Sequence, residues 1–253
     1  MIKHTLGALA LLLASSSLGA MAADPLPANI AAAAADPNRG ADQAPMDAQR
    51  HGPELLAFTG VASGAKVVDL IPGGGYWTRL LAKAVGPAGH VYAVWPTEYV
   101  KVDDDEVGPY RTLVSGPDYK NVTVLEQPAA ALKPPVPVDL IFTAQNYHDY
   151  PDPFMGPTDP AVLNKAVFAA LKPGGIYLVI DHVAAAGSGA RDTNTLHRID
   201  PALVKQQVTA AGFQFVGESA LLANPADDHT KKVFDASIRG KTDQFVFKFR
   251  KPG

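Results

Sequence analysis

Residues 66–96, KVVDLIPGGGYWTRLLAKAVGPAGHVYAVWP, constrain the fold more than any other part of this chain. The run 66–71 is apolar and short, as a buried strand is. Gly73-Gly74-Gly75 makes a turn, and residues 76–85 set Leu80, Leu81 and Val85 at helical spacing. Gly86-Pro87-Ala88-Gly89 is a helix stop, and residues 90–95 read as a second strand. Strand, turn, helix and strand in this order make half of a nucleotide-binding α/β unit. Without side chains, the glycine turn adopts φ > 0 and lets a ligand reach main-chain N–H groups at a helix start. Its spacing excludes one ligand class. Dinucleotide binding needs G-x-G-x-x-G, and here the third glycine comes too soon, which argues against a dehydrogenase.

The chain has 253 residues, enough for one sizeable α/β core. Its start is set apart from that core. Lys3 and His4 form a short basic start, residues 6–13 an apolar run, and Ala20-Met21-Ala22 a small-x-small cleavage pattern. Residues 1–22 are therefore expected to be a secretory signal peptide, too short for a comfortable membrane anchor, and the mature protein to be periplasmic or secreted. Loss of Lys3 leaves 21 basic against 25 acidic side chains, a net charge of −4. That balance, without Lys/Arg runs, gives no electrostatic footprint for nucleic acid or an anionic membrane. There is no cysteine, so stability must come from the core without disulfides.

Residues 23–40 are Ala/Pro-rich and read as a loose leader, with a single domain over residues 41–253. Residues 41–59 suggest a lead-in helix or helix pair, with Asp36, Arg39, Asp42, Asp47 and Arg50 on a solvated face. Further strands are expected at 121–126, 138–143 and 176–181, with an irregular stretch over 97–120. Asp159-Pro160 and Asp200-Pro201 each supply an N-cap and a first-turn proline for a helix. The small, Gly-rich loop 184–192 reads as mobile. Residues 213–222 and 243–250 alternate apolar and polar and should pair antiparallel at the sheet edge. The fold class is thus α/β, a doubly wound, mostly parallel sheet.

Three stretches, in order, carry a family resemblance: DLIPGGGYWT at 69–78, VDLIFTAQNYHDY at 138–150 and ALKPGGIYLVIDH at 170–182. They resemble motif I, motif IV and the strand-five signature of class I S-adenosylmethionine-dependent methyltransferases. The whole is also similar to a group of exported, predicted methyltransferases of proteobacteria, whose look extends to residues 224–252. The resemblance implies a Rossmann-like sheet closed by an antiparallel C-terminal hairpin, S-adenosylmethionine as cofactor, and methyl transfer to a small-molecule acceptor.

Two positions depart from the family pattern. Ile71 stands where a glycine is usual after strand one. Trp95 ends strand two where an Asp or Glu normally accepts the ribose hydroxyls, and an indole has a donor but no acceptor. Glu98 lies near enough to substitute, and Glu126 or Gln127 could meet an adenine edge. These departures leave altered cofactor geometry and lost cofactor binding both open.

Ligands of open α/β sheets sit at the carboxyl ends of the strands. The resemblance and this rule together assign the cofactor to Asp69, Gly73, Gly74, Gly75, Tyr76, Trp95, Glu98, Gln127, Gln145 and Asn146. His148 is the candidate base, with Asp149 as its orienter. Tyr147, Asp181, His182, His197 and Arg198 are candidates for the substrate side, and Arg191 or Arg198 for clamping an anion or as ordinary surface charges. No histidine pair has H-x-x-x-H or comparable spacing, so no metal is expected. Two alternatives remain: a non-catalytic periplasmic binding protein that kept the fold, and an enzyme of another chemistry using His148, Asp181 and His182.

Overall fold

A computed structural model describes residues 25–102 and 104–253, without the side chain of Asp104. The signal-peptide expectation lies outside the described residues. Among the described residues no helix is long and apolar enough to cross a membrane.

Seven strands form one sheet in the order β3-β2-β1-β4-β5-β7-β6. They are β1 (Lys66–Leu70), β2 (His90–Pro96), β3 (Val122–Gln127), β4 (Val138–Ala144), β5 (Leu171–His182), β6 (Gln214–Ser219) and β7 (Gln244–Arg250). The first five run parallel, and β7 pairs antiparallel with both β5 and β6. The central strands are apolar throughout because both faces are covered: Val67 and Val68 of β1 and Ile141 and Phe142 of β4 have no exposed surface. The chain winds from β1 outward to β3, then returns to β4 beside β1. Right-handed crossovers therefore put the two sets of helices on opposite faces and open a crevice between the ends of β1 and β4.

Nine α-helices accompany the sheet among the described residues: α1 (Ala28–Ala34), α2 (Gln43–Arg50), α3 (Gly52–Thr59), α4 (Tyr76–Val85), α5 (Thr97–Val102), α6 (Asp104–Val114), α7 (Pro160–Ala170), α8 (Thr193–Leu196) and α9 (Pro201–Ala210). The Asp159 and Asp200 side chains accept from Ala161 N and Ala202 N at 2.8 and 2.9 Å, which starts α7 and α9 as their sequences predict.

Four expectations need correction. The Ala/Pro-rich leader is not loose over α1: Ile30 and Ala33 are buried, α1 packs on α4, and Asn29 Nδ2 bonds the carbonyls of Val61 and Ala84. Residues 97–120 are not irregular but hold α5 and α6; the internal Pro109 and the acidic run hid the helical pattern. The charges of the lead-in helices do not all face water. Arg39 is buried and bonds Asp47 through two nitrogens, at 2.8 and 2.6 Å, and Tyr76 donates to the same carboxylate at 2.7 Å. Loop 184–192 is anchored, since Asp200 Oδ2 accepts from the amide of Gly187 at 2.8 Å.

Candidate functional site

The bend after β1 keeps the shape a glycine would have allowed. Ile71 has φ 55°, a left-handed conformation rare for a β-branched residue. Its amide donates to Val94 O at 2.9 Å, and its carbonyl accepts from Asn146 Nδ2 at 3.0 Å. Strain there costs on the order of 1–3 kcal/mol, which the surrounding bonds must offset. Gly73 and Gly75 also have positive φ. At Gly74 a Cβ would meet nothing within 4 Å, so the backbone is open to a ligand there. Gly75 differs. It precedes α4 at φ 79°, a conformation that favours glycine, and a Cβ there would lie 2.8 Å from the end of the Leu113 side chain of α6.

A cleft of about 630 Å³ lies at the crevice between the ends of β1 and β4, within the range of small-molecule sites. Of the residues assigned to the cofactor, Gly73, Gly74, Tyr76, Gln145 and Asn146 line it. The other five are turned elsewhere. Asp69 is buried, accepts from Thr78 Oγ1 at 2.5 Å, and burial pushes its pKa up to about 7 despite that bond. Trp95 is fully buried and packs against Tyr99 and Tyr110, so it has no surface for a ribose. Glu98 accepts from the Ala129 amide at 2.9 Å. Gln127 makes two bonds to the Lys133 backbone. Gly75 lies under α6.

The histidine cluster occupies the far end of the cleft. His148, Asp149, His182 and His197 line it. His148 Nδ1 lies 2.7 Å from Asp181 Oδ1, and its Nε2 lies 3.1 Å from Asp149 Oδ1. Asp181, 33 residues away in sequence, therefore orients the ring, and Asp149 faces its other nitrogen. Burial opposes charge on His148, but the carboxylates of Asp181 and Asp149 outweigh it and raise its pKa well above the ordinary histidine value. Asp149 is likewise lowered, because His148 and His197 overcome the effect of burial. His182 bonds Thr242 Oγ1 through Nδ1 at 2.8 Å, and burial depresses its pKa to about 4.

Three residues assigned to the substrate side do not line the cleft. Asp181 is fully buried behind His148. Tyr147 is buried, with its hydroxyl bonded to Asn164 and Gln207. Arg198 is fully buried and pairs with Asp227 at 2.9 Å, which leaves it no charge to offer an anion; Arg191 pairs with Asp192.

Sequence reasoning missed several lining residues. Asp42 comes from the start of α2, Met46 and Arg50 from α2 itself, Glu106 from α6, and Phe234 from the connector between β6 and β7. Tyr99 donates to Glu106 Oε2 at 2.7 Å, and Glu106 Oε1 would lie 3.3 Å from a Cβ on Gly73. The acidic run 103–106 was the only signal for it, and run and helix together, not spacing from β2, would have been needed to find it.

The architecture is the Rossmann-like fold of class I methyltransferases. A SAM-dependent methyltransferase from Aquifex aeolicus is similar in structure, with TM-score 0.58 and 20% identity over 82% of this chain and 94% of that one. So is the glycopeptide N-methyltransferase MtfA complexed with sinefungin, with TM-score 0.56 and 15% identity over 82% of this chain and 87% of that one. The [4+2]-cyclase SpnF is similar too, with TM-score 0.56 and 17% identity over 81% of this chain and 80% of that one. No family model and no curated protein matches the chain. A cyclase among these neighbours illustrates that this fold alone does not specify the reaction.

Proposed function

We propose that this chain is an S-adenosylmethionine-dependent methyltransferase acting on a small molecule after export. The observation that carries the reading is the side-chain-free Gly73-Gly74 turn in the wall of the cleft, at the switch point of a methyltransferase-type sheet. The cofactor suits these residues with one change from the family pattern. Open backbone at Gly74 admits the ligand, and Glu106 brings to the cleft the carboxylate that Trp95 cannot supply. When bound, the sulfonium supplies an activated methyl group, so the protein has mainly to align the acceptor and exclude water.

Gly73, Gly74 and Glu106 hold the cofactor end in this reading, and Tyr76 and Trp77 wall it from solvent. The acceptor stands against His148, Asp149 and His197. His148, held between the carboxylates of Asp181 and Asp149, serves as a positioning group, and His197 beside it helps to orient the acceptor. The basic-apolar-small pattern of residues 1–22 supports export, and the mildly acidic charge balance supports a small-molecule partner over nucleic acid.

A second reading, a ligand-binding protein without turnover, is favoured by the engagement of Asp69, Trp95, Glu98 and Gln127 with the protein itself. Calorimetry on mature protein separates the two. Micromolar binding of both S-adenosylmethionine and S-adenosylhomocysteine supports the methyltransferase; a folded protein that binds neither rejects it. Cell fractionation tests export, and full-length chain in the cytosol would contradict it.

A further inference from the structure

We propose that His148, Asp149 and His197 form a binding site for one divalent transition-metal ion of the zinc class. Nε2 of His148 lies 3.1 Å from Asp149 Oδ1 and 3.4 Å from His197 Nδ1, and the last two atoms are 3.9 Å apart. Three ligands of a tetrahedral ion, bonded at about 2.1 Å, stand about 3.4 Å from one another. The three observed separations bracket that value, so an ion fits among these atoms with small side-chain adjustments.

The support around the site is what a metal ligand needs. A ligating histidine usually gives its other ring N–H to a carboxylate, which fixes the tautomer and aims the free lone pair. Asp181 does this for His148 at 2.7 Å, and Asp181 is itself fully buried and held by the backbone amides of His148 and His182. His197 is set from the other side by the Phe234 ring, 4.9 Å away. His182 stands near, but its Nδ1 bonds Thr242 and its ring centre is 6.1 Å from that of His148. It borders the site without completing it.

Two nitrogens and one carboxylate oxygen make a borderline donor set, suited to zinc, cobalt or iron(II) and poorly suited to magnesium or calcium. All three ligands line the cleft, so a fourth position opens toward it, as in sites that exchange water for a substrate oxygen. The ion replaces the proton on His148 Nε2 and neutralises the Asp149 carboxylate. This assignment goes beyond the methyltransferase reading and stands or falls without S-adenosylmethionine.

The test is titration of tag-free, metal-stripped mature protein with Zn²⁺ by calorimetry, and with Co²⁺ by visible absorption, in the absence of S-adenosylmethionine. One ion per chain at micromolar affinity or tighter is expected, with a Co²⁺ spectrum of low coordination number. His197 is 20% exposed on its side chain, so His197→Ala is expected to fold, and it should weaken Zn²⁺ binding by at least about 100-fold. Asp149→Asn should weaken it comparably. His229→Gln, which alters a histidine paired with Asp243, should leave it unchanged. Folded wild type that binds no Zn²⁺ at 100-micromolar concentrations (about the weak limit for a specific site), or undiminished binding in His197→Ala, overturns the proposal.

Discussion

The two halves of the strand-end rim are built differently. Over β1, β2 and β3 the polar groups point into the protein: Asp69 to Thr78, Glu98 to Ala129, Gln127 to Lys133, with Trp95 sealed beneath Tyr99 and Tyr110. Over β4 and β5 they converge on the cleft, with His148 between two carboxylates and His197 beside it. Burial acts on both halves, but Asp69 and His148 differ in the charges that face them. Asp69 has no cation beside it, so desolvation raises its pKa; His148 has two anions, so it holds its charge at similar depth. Ionisation in the rim therefore follows the balance between burial and facing charge: two close carboxylates outweigh burial at His148, whereas at His182 burial wins.

The contrast is most severely tested by Asp69→Asn. Folded Asp69 keeps its proton up to about pH 7, while in the unfolded chain it releases it near 3.8. Folded protein then binds the extra proton, so stability from this group is greatest below the unfolded pKa and falls as pH rises through the folded one. The wild type should lose on the order of 4 kcal/mol relative to the variant between pH 4 and pH 8, seen in urea melts at both pH values. A parallel pair of curves would mean that Asp69 is ionised and the two halves are alike.

Gly74→Asp adds a carboxylate side chain to the open wall of the cleft, where the proposed function places the cofactor. It should weaken S-adenosylmethionine binding by about 100-fold, roughly 2.7 kcal/mol, with little change in melting temperature. Unaltered affinity would remove the glycine turn from the ligand site. A smaller loss, about tenfold, is expected for Glu106→Gln, because a hydrogen bond to a charged acceptor becomes a neutral one. Least of all should follow from Trp95→Phe, which leaves affinity within about twofold if the indole only packs; a tenfold loss by calorimetry would return the first half of the rim to the ligand.

Much of this arrangement was legible beforehand. Strong local signals, the apolar strands, the glycine stop after α4 and the Asp-Pro caps of α7 and α9, located the sheet and the crevice. The resemblance of β1 and its turn to motif I located the wall of the cleft. What stayed hidden depends on contacts between distant residues. Nothing near His148 announces Asp181, 33 positions away, or His197, 49 positions away. Spacing rules for metal ligands see only residues close in sequence; His148 and Asp149 share one turn, but His197 comes from a separate segment after α8 and Asp181 from β5. Arg39 and Arg198 misled for a related reason: an arginine in sequence reads as surface, and each is buried because a partner, Asp47 or Asp227, is brought to it by the fold. In the same way, Trp95 sits at the aligned position of a ligand residue yet belongs to the core.

Residues 220–243 link β6 to β7, where adjacent antiparallel strands could be joined by a tight turn. This excursion is moored by the guanidinium of Arg198, which holds Lys231 O and Asp227, and it delivers Val233 and Phe234 to the cleft. One wall of the pocket is thus hung on the last hairpin, apart from the strands that carry the glycine turn. Selection could reshape that wall, and with it the choice of guest, by lengthening or rewriting one excursion while the scaffold beneath kept its sequence.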